Sequence, residues 1–275
     1  MRSDPRVDLV RAAFGDRPDL SIAGTPELPR DRWLAAVALG GQGRYAAAAT
    51  LLNDLMTHSD PELAAFACAT FASHRRQLGG HASARVLDAA GHARLAGRPG
   101  AAEARSDVLL GLAADAIGAG RLGEARRLAD RAPRSGWRAT VRHGWVSAEI
   151  ELAAGRAEEA VTHAGPAAEL AAESGSVRHR IKSDLVLGAA LGARGDRVGA
   201  AKIVGPALDD ADDLGLLSLV WPGALIMAGL DADQEDRLCR WAAVALRSVL
   251  RRTDPVGRRL AERSAWVPRL TGPTG

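Results

Sequence analysis

Along most of this chain, apolar residues recur at three- and four-residue spacing, and short glycine-containing polar breaks interrupt them. That spacing marks one face of a helix rather than a strand. It predicts a short helix over 5–14, with Pro5 suited to the first turn. Pairs of helices follow at about 27–42 and 45–57, 60–77 and 81–95, 101–118 and 121–131, 137–154 and 157–172, and 176–193 and 197–212. A sixth pair is predicted near 216–230 and 234–252, and a last helix near 255–265. Residues 15–29 contain Pro18, Pro26 and Pro29 and read as a loop leading into the array. Residues 271–275 read as a disordered tail.

The breaks are not random. A glycine is followed five residues later by an alanine at Gly43/Ala48, Gly79/Ala84, Gly120/Ala125, Gly155/Ala160 and Gly195/Ala200, with the glycines 36, 41, 35 and 40 residues apart. Seven residues before each glycine stand Ala36, Ala72, Ala113, Ala148 and Gly188, all small. A period of this size marks stacked supersecondary units. The small residue on the first helix and the alanine on the second let two antiparallel helices approach closely. The glycine fits a tight turn that needs positive φ or a helix stop. Larger apolar residues eight positions after the glycine, Leu51, Leu87, Leu128 and Ile203, then fill the groove to the next pair.

The segment from Trp33 to Ala48, with its Gly43–Arg44–Tyr45 turn, resembles a tetratricopeptide repeat. The run from Gly155 to Ala160 resembles the turn and alanine of that family closely, and the runs from Gly120 and Gly195 nearly as well. The resemblance covers about residues 29–212, with helices or loops longer than the 34-residue family period. It implies an all-α fold: a right-handed α-solenoid of about five TPR-like helix pairs. The expected organisation is an N-terminal helix and loop over 1–28, repeats over 29–212, capping helices over 213–270, and the tail. A cap is needed because the last pair would otherwise expose its apolar face.

Composition agrees. Apolar residues make up 47% and aromatics only 4%, so the core must be built from Ala, Leu and Val. Lys182 and Lys202 are the only lysines, so the basic side chains are almost all arginine. Cys68 and Cys239, far apart and inside helical patterns, read as buried free thiols in a reducing compartment. The N-terminus is polar. The most apolar stretch, 214–230, is short for a membrane span and holds Pro222 and three glycines. A buried helix of a soluble, cytoplasmic protein with no membrane span is expected.

Chemistry-bearing motifs are sparse. Gly118, Gly120 and Gly123 spell GxGxxG, but a helical pattern precedes them and no acid follows at ribose-binding distance. The turn register explains the glycines instead. His58, His74, His81, His92, His143, His163 and His179 show no pairing at one-helix metal spacing and read as polar surface residues. His74 and His81 could approach across a turn, among arginines that would repel a metal. No nucleophile signature stands out, and Glu149 and Asp184 have no evident partner. A non-catalytic protein without a cofactor is expected.

Two places could hold a partner. The resemblance implies that the first helix of each pair lines a concave face. Thirteen residues before the turn glycines stand Arg30, Phe66, Asp107, Arg142 and Lys182, and ten before stand Trp33, Ala69, Leu110, Trp145 and Leu185. Arg30, Trp33, Arg142, Trp145 and Lys182 would suit a peptide with apolar anchors and acidic groups; tryptophans packed between helices are the plainer alternative. The asparagines of the family's carboxylate-clamp subclass are missing. The second place is the C-terminus: from Arg237 onward nine arginines face only Asp254 and Glu262. Arg237, Arg240, Arg247, Arg251, Arg252, Arg258 and Arg259, with Trp241 and Trp266 nearby, could attract nucleic acid or another anionic partner; arginines paired with acids of the stack are the alternative. An adaptor or scaffold that binds a protein segment in the concave face is the leading expectation, and a regulatory module contacting an anionic partner through the basic C-terminus is the other.

Overall fold

In a computed structural model of the chain, residues 5–268 are described, and they contain no strand. Fourteen α-helices follow one another: α1 Pro5–Phe14, α2 Pro29–Gly41, α3 Tyr45–Asn53, α4 Pro61–Gln77, α5 His81–Arg94, α6 Ala102–Gly118, α7 Leu122–Asp130, α8 Gly136–Ala153, α9 Ala157–Glu173, α10 Val177–Arg194, α11 Arg197–Asp213, α12 Leu217–Leu230, α13 Glu235–Arg251 and α14 Pro255–Arg263. Every predicted helix is present within a few residues of its expected ends. The expected tail, 271–275, lies outside the described residues.

The register has the packing its residue sizes require. The turn glycines Gly43, Gly79, Gly120, Gly155 and Gly195 all have positive φ, from 70° to 97°. Ala48, Ala84, Ala125, Ala160 and Ala200 are each fully buried, as are Ala36, Ala72, Ala113 and Ala148 on the facing helices. A second glycine series went unread in the sequence. Gly97, Gly136, Gly175 and Gly215 also have positive φ and turn the chain from one pair to the next. Side-chain caps reinforce some starts: Asp60, Asp196 and Asp254 accept from backbone N–H groups of α4, α11 and α14.

The helices form two layers. α2, α4, α6, α8, α10 and α12 pack side by side on the inside, each backed by its following helix on the outside. The inner row closes on itself, because α12 also packs on α2. The Ser218 hydroxyl at the start of α12 donates to the Gly41 carbonyl at the end of α2 (2.7 Å). The N-terminal segment completes the seam. Phe14 at the end of α1 sits 5.5 Å from the Trp33 ring and 6.1 Å from His179, and the Val177 N–H at the start of α10 donates to the Gly15 carbonyl (3.1 Å).

The last two helices fold back over the first turns rather than only covering the last pair. Val249 of α13 lies over Gly43, where a Cβ would approach its Cγ2 to 2.8 Å. The Ala46 N–H donates to the Arg252 carbonyl (2.8 Å), and Arg75 donates to Asp254 (2.7 Å). Tyr45, Leu78, Leu246, Val249, Ala261 and Val267 form a small core of their own between the two ends of the chain. The apolar stretch over 214–230 becomes α12, whose Leu219, Val220 and Ala224 are buried in the array. No helix among the described residues is long and apolar enough to cross a membrane.

Candidate functional site

On the concave face of the inner row lies a half-open chamber of about 210 Å³. Trp33, Asp107, Leu110, Arg142, Trp145 and Lys182, all named by the concave register, line it. Arg30 does not: it is exposed and stacks over Trp33 (4.4 Å) and Phe66 (5.0 Å). Trp33 is only 2% exposed and donates to Thr70 Oγ1 (3.0 Å), so it is wall and core together. Trp145 is better placed. Its ring is half-buried, stacks on His179 at 5.5 Å, carries Lys182 Nζ 5.7 Å from its centre, and donates to Ser183 Oγ (2.8 Å).

The walls are rich in cations that the sequence reading did not name. Arg138 donates to both oxygens of buried Asp107 (3.0 Å each), and Arg142 lies 3.2 Å from the same carboxylate. Glu103, half exposed, stands 3.7 Å from Arg138. Arg76 sits between Asp115 (2.8 Å) and fully buried Asp88. Burial, with Asp115 nearby, raises the Asp88 carboxyl well above the usual range despite Arg76. Lys182 pairs with Glu149 (3.2 Å) and Arg180 with Asp184 (3.5 Å), so both acids that looked unpartnered in the sequence are paired.

Arg178 differs. Its Nε is enclosed and makes no hydrogen bond, and it has no acidic partner among the described residues. Burial, then Arg142 and Arg138, lowers its pKa to about 10. Gly41 makes the room: a Cβ there would stand 2.9 Å from the Arg178 Cδ. Gly40 does the same for His74, where a Cβ would overlap Nε2. The sequence did carry a signal for these cations. Arg138 and Arg178 both stand seventeen residues before a turn glycine, one helical turn ahead of Arg142 and Lys182.

The chamber continues into a second space of about 150 Å³, lined by Leu185, Val186, Pro222 and Ile226 and joined to the first along Lys182, Glu149, Ser218 and Leu219. One compartment is therefore cationic and the adjoining one apolar.

Three histidines expected at the surface are buried: His74, His143 and His179. Each has helical spacing that turns it inward, and a neighbouring ring or hydroxyl accommodates it. His74 stacks on Tyr45 at 4.8 Å, and His179 meets Ser176 Oγ at 2.8 Å. Burial, then Arg75 and Arg178, lowers His74 to about 3. His74 and His81 do not share a site, since His81 faces Asp115 and Trp266. Cys68 is buried and its thiol is pushed up to about 11, but Cys239, expected to be buried, is exposed on α13. Gly118 ends α6, Gly120 lies in the turn and Gly123 is in the first turn of α7.

On the outer side, Arg237, Arg240, Val244, Arg247 and Arg251 fall on one face of α13, with Arg252, Arg258 and Arg259 beyond it. All seven arginines but half-buried Arg247 are exposed. Among the described residues none of the seven forms an ion pair, so pairing with acids of the stack does not occur. Trp241 packs on the α10–α12 core, whereas Trp266 is 60% exposed. The chain matches no protein-family model and no curated protein by sequence.

Proposed function

We propose that this protein is a non-catalytic adaptor: a TPR-like, right-handed solenoid that closes on itself and binds the end of a partner's polypeptide segment in its concave chamber. The observation that carries this reading is the pairing of a cationic compartment with an apolar one. A segment end with an acidic group and an apolar side chain fits both at once. The chamber volume favours an end or a few side chains over a length of extended chain threaded through the array. Arg142, Trp145 and Lys182 are the residues expected to meet the ligand, Trp33 forms the wall behind it, and Arg30 acts from outside through its stack on Trp33.

An array of immobilised peptides, acidic and neutral, with and without apolar ends, tests this reading. Wild type should favour acidic peptides with apolar ends, and Arg142→Glu/Trp145→Ala should lose that preference. Identical binding patterns for the two proteins would remove the chamber from consideration.

A second reading draws on the exposed, ion-pair-free arginine stripe of α13 and α14. It makes the protein a regulatory module that contacts nucleic acid or another anionic partner from its outer side. Binding to duplex DNA and single-stranded RNA at low salt, lost in Arg251→Glu/Arg258→Glu, would support it; undetectable binding would end it.

A further inference from the structure

We propose that the Arg178 end of the chamber is an anion subsite that receives one compact oxyanion group between the guanidinium groups of Arg178 and Arg142. This deepens the chamber reading above and rests on it. Three observations converge. First, Arg178 packs closely against Gly41 of α2, where a Cβ would stand 2.9 Å from its Cδ, yet it finds no acidic partner among the described residues and its enclosed Nε makes no hydrogen bond. An enclosed cation without a counter-charge costs the folded state stability, and replacing such charges by apolar groups is often neutral or stabilising. Second, its neighbours leave it no carboxylate to borrow: Arg138 and Arg142 both hold Asp107, and Glu103 stands 3.7 Å from Arg138. With Lys182 matched by Glu149, and Arg138 and Arg142 by Asp107 and Glu103, the charge left unmatched in this part of the wall is that of Arg178. Third, Arg178 and Arg142 border the same chamber, so a ligand can reach them.

An unmatched guanidinium beside that of Arg142 calls for an oxyanion. A phosphate monoester and a carboxylate at the end of a peptide both supply one, and guanidinium forks bind either with paired N–H donors. The apolar compartment beyond Lys182 would then take what is attached to that group.

The test is isothermal titration of the full chain with inorganic phosphate and, separately, with succinate, in a buffer of large organic ions. Wild type should bind at least one of them. Arg178→Met should weaken that binding on the order of tenfold to a hundredfold, while Arg98→Gln, at an exposed arginine away from the chamber, leaves it unchanged. Phosphate alone binding assigns a phosphoryl group, and succinate alone a carboxylate. Melting temperature in the same anion-free buffer guards against misfolding: Arg178→Met should melt about 2–4 °C higher than wild type. Neither anion binding wild type, or undiminished binding by Arg178→Met, overturns the subsite. The chamber reading survives that result if the peptide array still separates wild type from Arg142→Glu/Trp145→Ala, so the two failures are distinguishable.

Discussion

The arginines of the chamber and those of α13 and α14 are the same side chain in opposite surroundings. Arg138, Arg142 and Arg76 lean on carboxylates that are themselves buried, and Arg178 stands among cations with its Nε enclosed. Arg240, Arg251, Arg258 and Arg259 extend into water with no ion pair. Water stabilises an exposed guanidinium whether or not a carboxylate is near, so an unpaired arginine at the surface implies little by itself. The enclosed wall is different: there each charge requires a partner, and the one that lacks it marks a place for a ligand. The outer stripe can attract an anionic surface at long range, but it has no walls to select one.

The largest expected effect breaks the chamber's internal balance. Asp107→Asn removes the one carboxylate shared by Arg138 and Arg142 and should cost about 3–5 kcal/mol in urea denaturation. A loss well under 1 kcal/mol would mean that solvent screens these charges and that the contrast with α13 is false.

A somewhat smaller effect comes from pH. His74 is neutral in the folded protein, with its pKa near 3, while the unfolded chain takes up a proton near the ordinary 6.5. Stability conferred by the neutral ring is therefore complete above pH 6.5 and is lost as pH falls from there toward 3. The slope should be roughly 1.4 kcal/mol per pH unit for this one proton, and buried His179, also held well below its ordinary value, should add to it. Urea midpoints between pH 7 and 5 check this, and His74→Leu should flatten the slope by one proton.

Repeat packing can be probed at a comparable size. Ala160→Leu overfills a fully buried helix contact and should cost about 1–3 kcal/mol. Smallest of all is the outer face: Arg258→Glu/Arg259→Glu should change stability by about 0.5 kcal/mol or less, measurable in the same urea titration. A large loss there would show that α14 depends on those charges to hold the first turns.

Much of this architecture could be read in the sequence because sterics write it plainly. Gly120 needs positive φ and Ala125 needs a helix within contact distance, and both requirements repeat down the chain. The helix ends followed from that register to within a few residues. The closure of the inner row could not be read. It rests on long-range contacts such as Ser218 to Gly41, as the fold-back of α14 rests on Arg75 to Asp254, and these partners carry no periodic signal. The chamber was half legible. Arg142, Trp145 and Lys182 came from the repeat register, and Arg138 and Arg178 lay one turn further along the same stripe. The importance of Arg178 was hidden because it arises from a missing partner, and only folding reveals which acids end up nearby. The burial of three histidines was hidden for a related reason: polarity alone favours the surface, and the rings that shelter His74 and His179 come from other helices, Tyr45 of α3 for the first and Phe14 of α1 and Trp145 of α8 for the second.

The most direct test compares the two regions with one ligand. A peptide with an acidic, apolar-ended terminus, chosen from the array, is titrated calorimetrically into wild type, Arg178→Met and Arg258→Glu/Arg259→Glu at low and high salt. A chamber ligand should lose affinity in Arg178→Met, keep it in Arg258→Glu/Arg259→Glu, and depend only weakly on salt, because enclosed charges are poorly screened. Binding that survives Arg178→Met, disappears in Arg258→Glu/Arg259→Glu and collapses with salt would place the ligand on the outer stripe and contradict the account.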